Sequence, residues 1–207
     1  ASDRLGKTAD AAEYRDAMAQ IKTAFNRKFY NADKKIYETT TWNQIGTRTK
    51  YRQTSNLLPL AFGLIPDEYV DGVLANLIKD IEEKNYHLDT GCVGTRYILP
   101  VLCDYGYADV AYRIITQDTY PSWGYWLTRG ATSTWEMWEG TARSLDHYFL
   151  GTYDEWIYSH LAGITDVKDG YKSFTIRPYM IGDLDYVNAS VKTVRGAVKS
   201  SWSLNPD

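Results

Sequence analysis

Up to about residue 164, the apolar residues of the chain recur at the period of an α-helix. Tyr14, Met18, Ile21 and Phe25 fall at positions i, i+4, i+7 and i+11, which is one face of a helix, so a helix is predicted over residues 8–29. The same pattern predicts helices over residues 54–62, 66–81, 95–105, 108–116, 137–150 and 154–162. Pro100 is expected to kink the fourth of these seven. Residues 85–94 and 118–130 are predicted as loops, and residues 30–51 as a long loop or a short hairpin.

After Gly170 the hydrophobic period changes from 3.6 to 2, which predicts β-strands. Apolar residues alternate with polar ones in three runs, which contain Phe174 and Ile176, then Val187, Ala189 and Val191, then Val198, Trp202 and Leu204. A turn at Arg195-Gly196 would make the last two strands an antiparallel hairpin. We therefore predict two domains: residues 1–165 belong to a helical domain, and residues 166–207 are the first part of a β-domain.

About seven helices joined by alternating short turns and long aromatic loops fit half of a helical toroid. In such a fold the long loops gather at one end, where a concave site is expected. The β-segment presents a different problem, because three strands leave a bare sheet edge and little core. We therefore expect Asp207 to lie within a domain that continues beyond it.

Charge and composition exclude several function classes. The 207 residues include 23 basic and 26 acidic side chains without a basic cluster, so nucleic acid is not an expected partner. No apolar run approaches the roughly 20 residues of a membrane helix, and residues 1–7 do not resemble a signal peptide, so the compartment stays open. Cys92 and Cys103 are predicted to be free thiols in the core, and no Cys/His spacing indicates a metal site.

The aromatic composition is unusual, with 7 Trp and 18 Tyr against only 5 Phe. Trp and Tyr combine a flat apolar face with a hydrogen-bonding group, which matches the C–H faces and hydroxyls of a sugar ring. An aromatic-rich core would have the same composition. Both interpretations stay open at this level.

One stretch of the sequence combines these aromatic residues with carboxylates. Glu136 lies between Trp135 and Trp138, so it could accept a proton from a water molecule, or it could merely favour a helix N-terminus. His147 follows eleven residues later, about three helical turns, so both side chains could lie on one side of a helix. His147 could bind a sugar hydroxyl or be a structural histidine. Glu139 is more typical of a surface or supporting residue.

Several motifs in this order resemble the bacterial α-L-rhamnosidases of glycoside hydrolase family 78. The resemblance covers nearly the whole chain, and its most specific part is Thr-Trp-Glu followed by His-Tyr. The motifs are His87-Leu88-Asp89-Thr90-Gly91, Leu99-Pro100-Val101-Leu102, Tyr120-Pro121-Ser122-Trp123, Gly130-Ala131-Thr132-Ser133-Thr134-Trp135-Glu136, Ser144-Leu145-Asp146-His147-Tyr148, Ala162-Gly163-Ile164 and Ile176-Arg177-Pro178.

The resemblance implies the second half of an (α/α)6 barrel followed by the first strands of a β-sandwich. It implies hydrolysis of terminal α-L-rhamnosides with inversion, without a cofactor or metal. Glu136 would be the general base, while His147, Trp135 and Trp123 would bind the substrate. The family's general acid lies in an earlier Arg-Asp-Glu-Arg stretch that is absent from these 207 residues. The partners would be a rhamnoside and the remaining half of the catalytic domain, and the chain by itself is expected to be inactive.

Two departures from the family pattern leave the exact sugar open. The segment between Glu136 and His147 is short where many members carry an insertion, and Asp146 precedes His147 where Asn is usual. The alternative hypothesis is a catalytically inactive relative that binds carbohydrate or has a structural role. A more distant one is another toroidal glycosidase or a lyase.

Overall fold

A computed structural model of the chain describes residues 2–38 and 52–204. The chain forms two compact units, Ala1–Asp80 and Ile81–Asp207. Within the described ranges, every helix is too short or too polar to span a bilayer.

The first unit consists of helices and one short hairpin. A 3-10 turn over Asp3–Leu5 precedes α1 (Thr8–Phe29), whose limits are those predicted. The strands β1 (Tyr30–Asn31) and β2 (Ile36–Tyr37) pair antiparallel, which confirms the hairpin alternative for this part of residues 30–51. Residues 39–51 lie outside the described residues. The helices α2 (Gln53–Ala61) and α3 (Asp67–Glu83) follow, also near their predicted positions.

Aromatic rings and a buried amide connect the hairpin to the helices of the first unit. Phe25 of α1 stacks on Tyr37 with 5.3 Å between the ring centroids. The Asn56 side chain is fully buried in α2, accepts a hydrogen bond from the Tyr37 backbone N–H at 2.8 Å and donates one to the Arg52 carbonyl at 3.0 Å. The predicted apolar face of α1 is largely uncovered among the described residues, because Tyr14, Met18 and Ile21 on it are exposed and only Phe25 is half-buried.

The second unit begins with a packed pair of helices, α4 (Cys92–Asp104) and α5 (Ala108–Ile115). The buried side chains of α4 are mostly aliphatic, and Pro100 lies within the helix without ending it. Cys103 is buried as predicted. Cys92 has a free thiol as predicted, but its predicted place in the core was wrong, because it is the first residue of α4 and lies on the surface.

Two further predictions for the second unit were wrong. Residues 118–130 are not all loop, because they contain the short helix α6 (Trp123–Thr128). Residues 137–150 form no helix, and the prediction that Glu136 begins a helix fails with them. Gly140 has a low helix propensity, and the hydroxyls of Ser144 and nearby residues bond the backbone in place of helical hydrogen bonds. The predicted helix over residues 154–162 exists as α7 (Tyr153–Trp156), continued by a π-helical turn over Ile157–Leu161.

The chain ends in two antiparallel strand pairs. The strand β3 (Ile164–Lys168) pairs with β4 (Ser173–Ile176), and β5 (Tyr186–Thr193) pairs with β6 (Gly196–Ser203). The strands β4, β5 and β6 and the antiparallel pairing of β5 with β6 were predicted. The turn between β5 and β6 lies at Val194-Arg195, one residue before its predicted position. The sequence did not indicate β3, whose register shifts between Thr165 and Lys168 and interrupts the alternation. A small core joins the elements of this region: Ala162, Ile164, Tyr171, Val187, Ala189, Val191 and Val198.

Candidate active site

Residues 131–150, named here the site loop, place Glu136 and His147 on adjacent backbone segments. The Glu136 N–H donates to the Ser144 carbonyl at 3.1 Å, and the His147 N–H donates to the Thr134 carbonyl at 2.7 Å. The Thr134 hydroxyl donates in turn to the His147 carbonyl. The two segments therefore run antiparallel, and this pairing replaces the helix that the spacing of Glu136 and His147 had suggested.

Short polar side chains close the site loop. The Ser133 hydroxyl donates to the Asp146 carboxylate at 2.7 Å and also approaches the Leu145 carbonyl at 3.1 Å. The Ser144 hydroxyl donates to the Asp146 carbonyl at 3.0 Å. Asp146 is the position where the resemblance expects Asn. An amide oxygen could accept the bond from Ser133 just as the carboxylate does, so this departure is compatible with an unchanged loop.

Trp135 and Trp138 of the site loop form one aromatic cluster with Trp123 and Trp126 of α6. The ring centroids of Trp126 lie 5.0 Å from Trp138 and 5.7 Å from Trp135, and Trp123 meets Trp138 edge-on at 5.5 Å. Such aromatic contacts add specific geometry to the free energy of burial. Glu136 is thus flanked in sequence by two members of one aromatic cluster.

Three indole N–H groups of this cluster donate to backbone carbonyls. Trp123 donates to Leu150 at 2.7 Å, Trp126 to Trp138 at 3.1 Å, and Trp138 to Thr90 at 2.8 Å. Two of the accepting carbonyls, those of Trp138 and Leu150, belong to the site loop. The loop is therefore held by directional bonds as well as by apolar contact.

The predicted site residues differ in how accessible they are. Glu136 and His147 are half-buried, whereas Trp123 and Trp135 are each only 6% exposed. Only a small part of each tryptophan is open to a substrate, and the N–H of Trp123 is already bonded to the Leu150 carbonyl. Their predicted contact with substrate stays a prediction.

His147 has the least satisfied polar group of the site. Its ring packs edge-on against Phe149 at 4.2 Å and parallel to Tyr148 at 5.7 Å. Its Nε2 is the one buried side-chain nitrogen or oxygen among residues 2–38 and 52–204 that has no hydrogen-bond partner. A buried polar atom without a partner costs about 1–3 kcal/mol, so such atoms are rare in folded proteins and are expected where a ligand supplies the partner.

Sequence reasoning missed two contributors to this region. Trp126 is nearly fully buried, and its three-residue spacing from Trp123 in α6 was the available signal, because residues i and i+3 share a helix face. Tyr120 donates from its hydroxyl to the Glu139 carboxylate at 2.9 Å. This bond agrees with the supporting or surface role predicted for Glu139.

The arrangement offers proton-accepting and hydrogen-bonding groups beside an aromatic wall. A carboxylate such as Glu136 can take a proton from water, and an imidazole can bond a hydroxyl. In the part of the chain that the structure describes, His, Cys, Asp and Glu side chains form no group of three that could hold a metal ion. Glu136 and His147 thus offer a general acid–base group and a hydrogen-bonding group.

Two family models match consecutive parts of the chain. Residues 1–161 match the bacterial alpha-L-rhamnosidase 6 hairpin glycosidase domain, and residues 163–207 match the bacterial alpha-L-rhamnosidase C-terminal domain. These matches confirm the predicted fold class, which is a mainly helical six-hairpin domain followed by antiparallel strands.

Known relatives and solved structures agree with the family models. An alpha-L-rhamnosidase of Streptomyces avermitilis is 35% identical to this chain over 96% of the chain's length. The aligned region makes up 19% of the Streptomyces avermitilis protein. The structure of the alpha-L-rhamnosidase from Dictyoglumus thermophilum superposes on 99% of the chain with a TM-score of 0.87 and 39% identity, covering 22% of that protein. The crystal structure of the Streptomyces avermitilis alpha-L-rhamnosidase complexed with L-rhamnose matches 99% of this chain, with a TM-score of 0.86 and 34% identity. The match covers 19% of the Streptomyces avermitilis chain.

The chain spans 19% to 22% of the length of the curated relatives it matches. Within that span, the helical part of the chain and its C-terminal strands fall within the two family models in turn. The chain belongs to the bacterial α-L-rhamnosidase family.

Proposed function

We propose that this chain is part of an inverting glycoside hydrolase that removes terminal α-L-rhamnose from glycosides. Membership in the rhamnosidase family supports the reaction and the sugar. The observation that carries the proposal is the backbone pairing of the site loop, which brings Glu136 and the unpartnered Nε2 of His147 to adjacent segments. The rhamnoside and the rest of the catalytic domain are the proposed partners.

Glu136 is the proposed general base. In an inverting reaction one carboxylate takes a proton from the water that attacks the anomeric carbon, while an acid on the other side of the bond protonates the leaving oxygen. The half-buried position of Glu136 beside Trp135 and Trp138 would limit the access of bulk water to the carboxylate. One water molecule would then attack from the face opposite the leaving group, which inverts the configuration.

His147 is the proposed hydrogen-bonding partner of a sugar hydroxyl. Its Nε2 is buried and unpartnered among the described residues, so a hydroxyl that reaches it would satisfy a polar atom of the protein. Trp123 and Trp135 are proposed to contact the sugar with the small part of each side chain that is exposed. The contact made by His147 would serve ground state and transition state alike, so we expect the loss of His147 to raise KM and to lower kcat less.

The boundary between the helical domain and the β-domain is proposed to lie between residues 165 and 166.

The isolated chain is proposed to be inactive. The 207 residues contain no Arg-Asp-Glu-Arg stretch, where the resemblance places the general acid. Without the acid, departure of the leaving oxygen is not assisted. Purified chain should therefore release no product from an aryl α-L-rhamnoside. Turnover that disappears in Glu136→Gln would contradict this.

The decisive test is Glu136→Gln in the full-length enzyme, with Glu139→Gln as the matched control. The amide keeps the size of the side chain but cannot take a proton from water. We expect kcat to fall about 10²–10⁴-fold with little change in KM for Glu136→Gln, and Glu139→Gln to stay close to wild type.

Azide provides a second test of the base, because it attacks without being deprotonated. Azide should restore turnover to Glu136→Gly and yield a glycosyl azide of inverted configuration. If Glu139→Gln were the crippled variant, the base would be misassigned. Rhamnoside binding with no turnover by the full-length wild type would favour a carbohydrate-binding relative.

A further inference from the structure

Trp126 occupies a particular place behind the site loop. Its ring packs against the tryptophans just before and two residues after Glu136, at 5.7 Å from Trp135 and 5.0 Å from Trp138. Its N–H donates to the backbone carbonyl of Trp138 at 3.1 Å, in a bond that is buried. Tryptophans on both sides of Glu136 in the sequence are thus in contact with one side chain of α6.

The bond from Trp126 continues into a chain of two indoles. Trp138 accepts from Trp126 through its carbonyl, and its own indole N–H donates to the Thr90 carbonyl at 2.8 Å. Trp138 is therefore fixed at its backbone and at its ring, two residues after Glu136. On the other side of Glu136, the paired segments of the site loop add the bond from the Glu136 N–H to Ser144.

We propose that Trp126 is a positioning residue, which holds the Glu136 carboxylate in place through its hydrogen bond to the Trp138 carbonyl. This inference rests on the proposed role of Glu136 as the base. Trp126 itself is 3% exposed, so its role does not require contact with substrate. Loss of its N–H leaves the buried Trp138 carbonyl without that donor, and the segment after Glu136 is then free to shift toward another one.

A small shift of this segment would reach the reaction directly. The base must lie within hydrogen-bond distance of the attacking water, and a displacement of about 1 Å can cost as much as 10²-fold in rate. Sugar binding by His147 involves the other segment of the loop, and Trp126→Phe would keep an aromatic ring against Trp135, which is another proposed sugar contact. The proposal thus predicts a loss in kcat rather than in KM.

The test uses Trp126→Phe in the full-length enzyme, because Phe keeps an aromatic ring and lacks the N–H. We expect kcat to fall about 10-fold with KM changed less than about 2-fold. Trp156→Phe is the matched control, since Trp156 is also buried and donates its N–H to the Cys103 sulfur at 3.1 Å. It should lose a similar amount of thermal stability and keep the wild-type kcat.

A double-mutant cycle with Glu136→Gln separates positioning from general damage. If Trp126 acts through Glu136, then Trp126→Phe should change kcat less than about 2-fold once Glu136 is already Gln. An additive 10-fold loss in that background would overturn the proposal, as would wild-type kcat in Trp126→Phe alone. If Trp126→Phe does not fold, Trp126→Tyr, which also lacks the indole N–H that bonds the Trp138 carbonyl, replaces it in the cycle and must show the same non-additive loss.

The outcome for Glu136→Gln alone separates the two proposals. If Glu136→Gln keeps wild-type activity, the proposed base is wrong, and the positioning role of Trp126, which rests on that base, is wrong with it. If Glu136→Gln is crippled and Trp126→Phe is not, the base stands and the positioning role alone is wrong.

Discussion

The helix α4 and the site loop belong to the same compact unit, but directional side-chain bonds to the backbone add to apolar contact far more in the loop than in the helix. The buried residues of α4 include the aliphatic set Ile98, Leu99, Val101 and Leu102, so burial of apolar area stabilises it. The site loop has no regular secondary structure and is bonded through indole, serine and threonine groups to backbone carbonyls. Apolar burial is tolerant of exact position, whereas hydrogen bonds are directional, so the loop can hold a catalytic group precisely.

The largest effect on stability should come from the core of α4. Leu102 is fully buried, so Leu102→Ala removes apolar contacts and leaves a cavity, at a cost of about 2–5 kcal/mol in the free energy of unfolding. The exposed Val93 of the same helix offers a control, and Val93→Ala should change stability by less than about 0.5 kcal/mol. Chemical denaturation of both variants measures the difference. Equal losses would mean that burial does not decide the stability of α4.

The two cysteines of α4 should differ strongly in reactivity. Burial raises the pKa of the Cys103 thiol to about 11, and thiolate is the reactive form, so Cys103 should react at least about 10²-fold more slowly than an exposed thiol near neutral pH. Cys92 is exposed and should be alkylated readily. Mass spectrometry of the two peptides after brief alkylation measures the ratio. Similar labelling of both in native protein would contradict the packing of α4.

The site loop should respond to the loss of one directional bond with a smaller and local effect. Trp123→Phe keeps an aromatic ring but removes the donor to the Leu150 carbonyl, at a cost of about 1–3 kcal/mol. Hydrogen exchange should rise in residues 131–150 and stay unchanged in α4. Trp202→Phe is a control, because its N–H donates to Leu161 outside the loop at 2.8 Å. Exchange that rises equally in α4 would show that the loop is not a separate element of stability.

The smallest effect is expected at the edge of the same region. Tyr120→Phe removes the hydrogen bond to Glu139, but Tyr120 is 48% exposed and water can replace it. We expect a change of less than about 0.5 kcal/mol in stability and a nearly unchanged kcat. Thermal unfolding and initial rates of the full-length variant measure both. A large loss of kcat would mean that Glu139 takes part in the reaction and does not merely support the loop.

The longer regular elements could be predicted from the period of their apolar residues, whereas the short helix α6 could not. The limits of α1 match their prediction, and the alternation in β5 and β6 indicated their pairing, with Val187, Val191 and Val198 on the core side. The strand β3 escaped prediction because its register shift breaks the alternation. The motif with Glu136 and His147 indicated the family and the candidate residues, but its spacing suggested a helix where the chain forms two paired segments.

What the sequence determined by itself was thus the helical and strand periods, the family and the two candidate groups. Tertiary structure decided that residues 137–150 are a loop, that Trp126 contacts the tryptophans on both sides of Glu136, and that the Nε2 of His147 is buried without a partner among the described residues. The physical reason is the range of the bonds involved. Periodicity reports contacts within a few residues, whereas the indole bonds of the site join residues 12, 27 and 48 positions apart and exist only once the chain has folded.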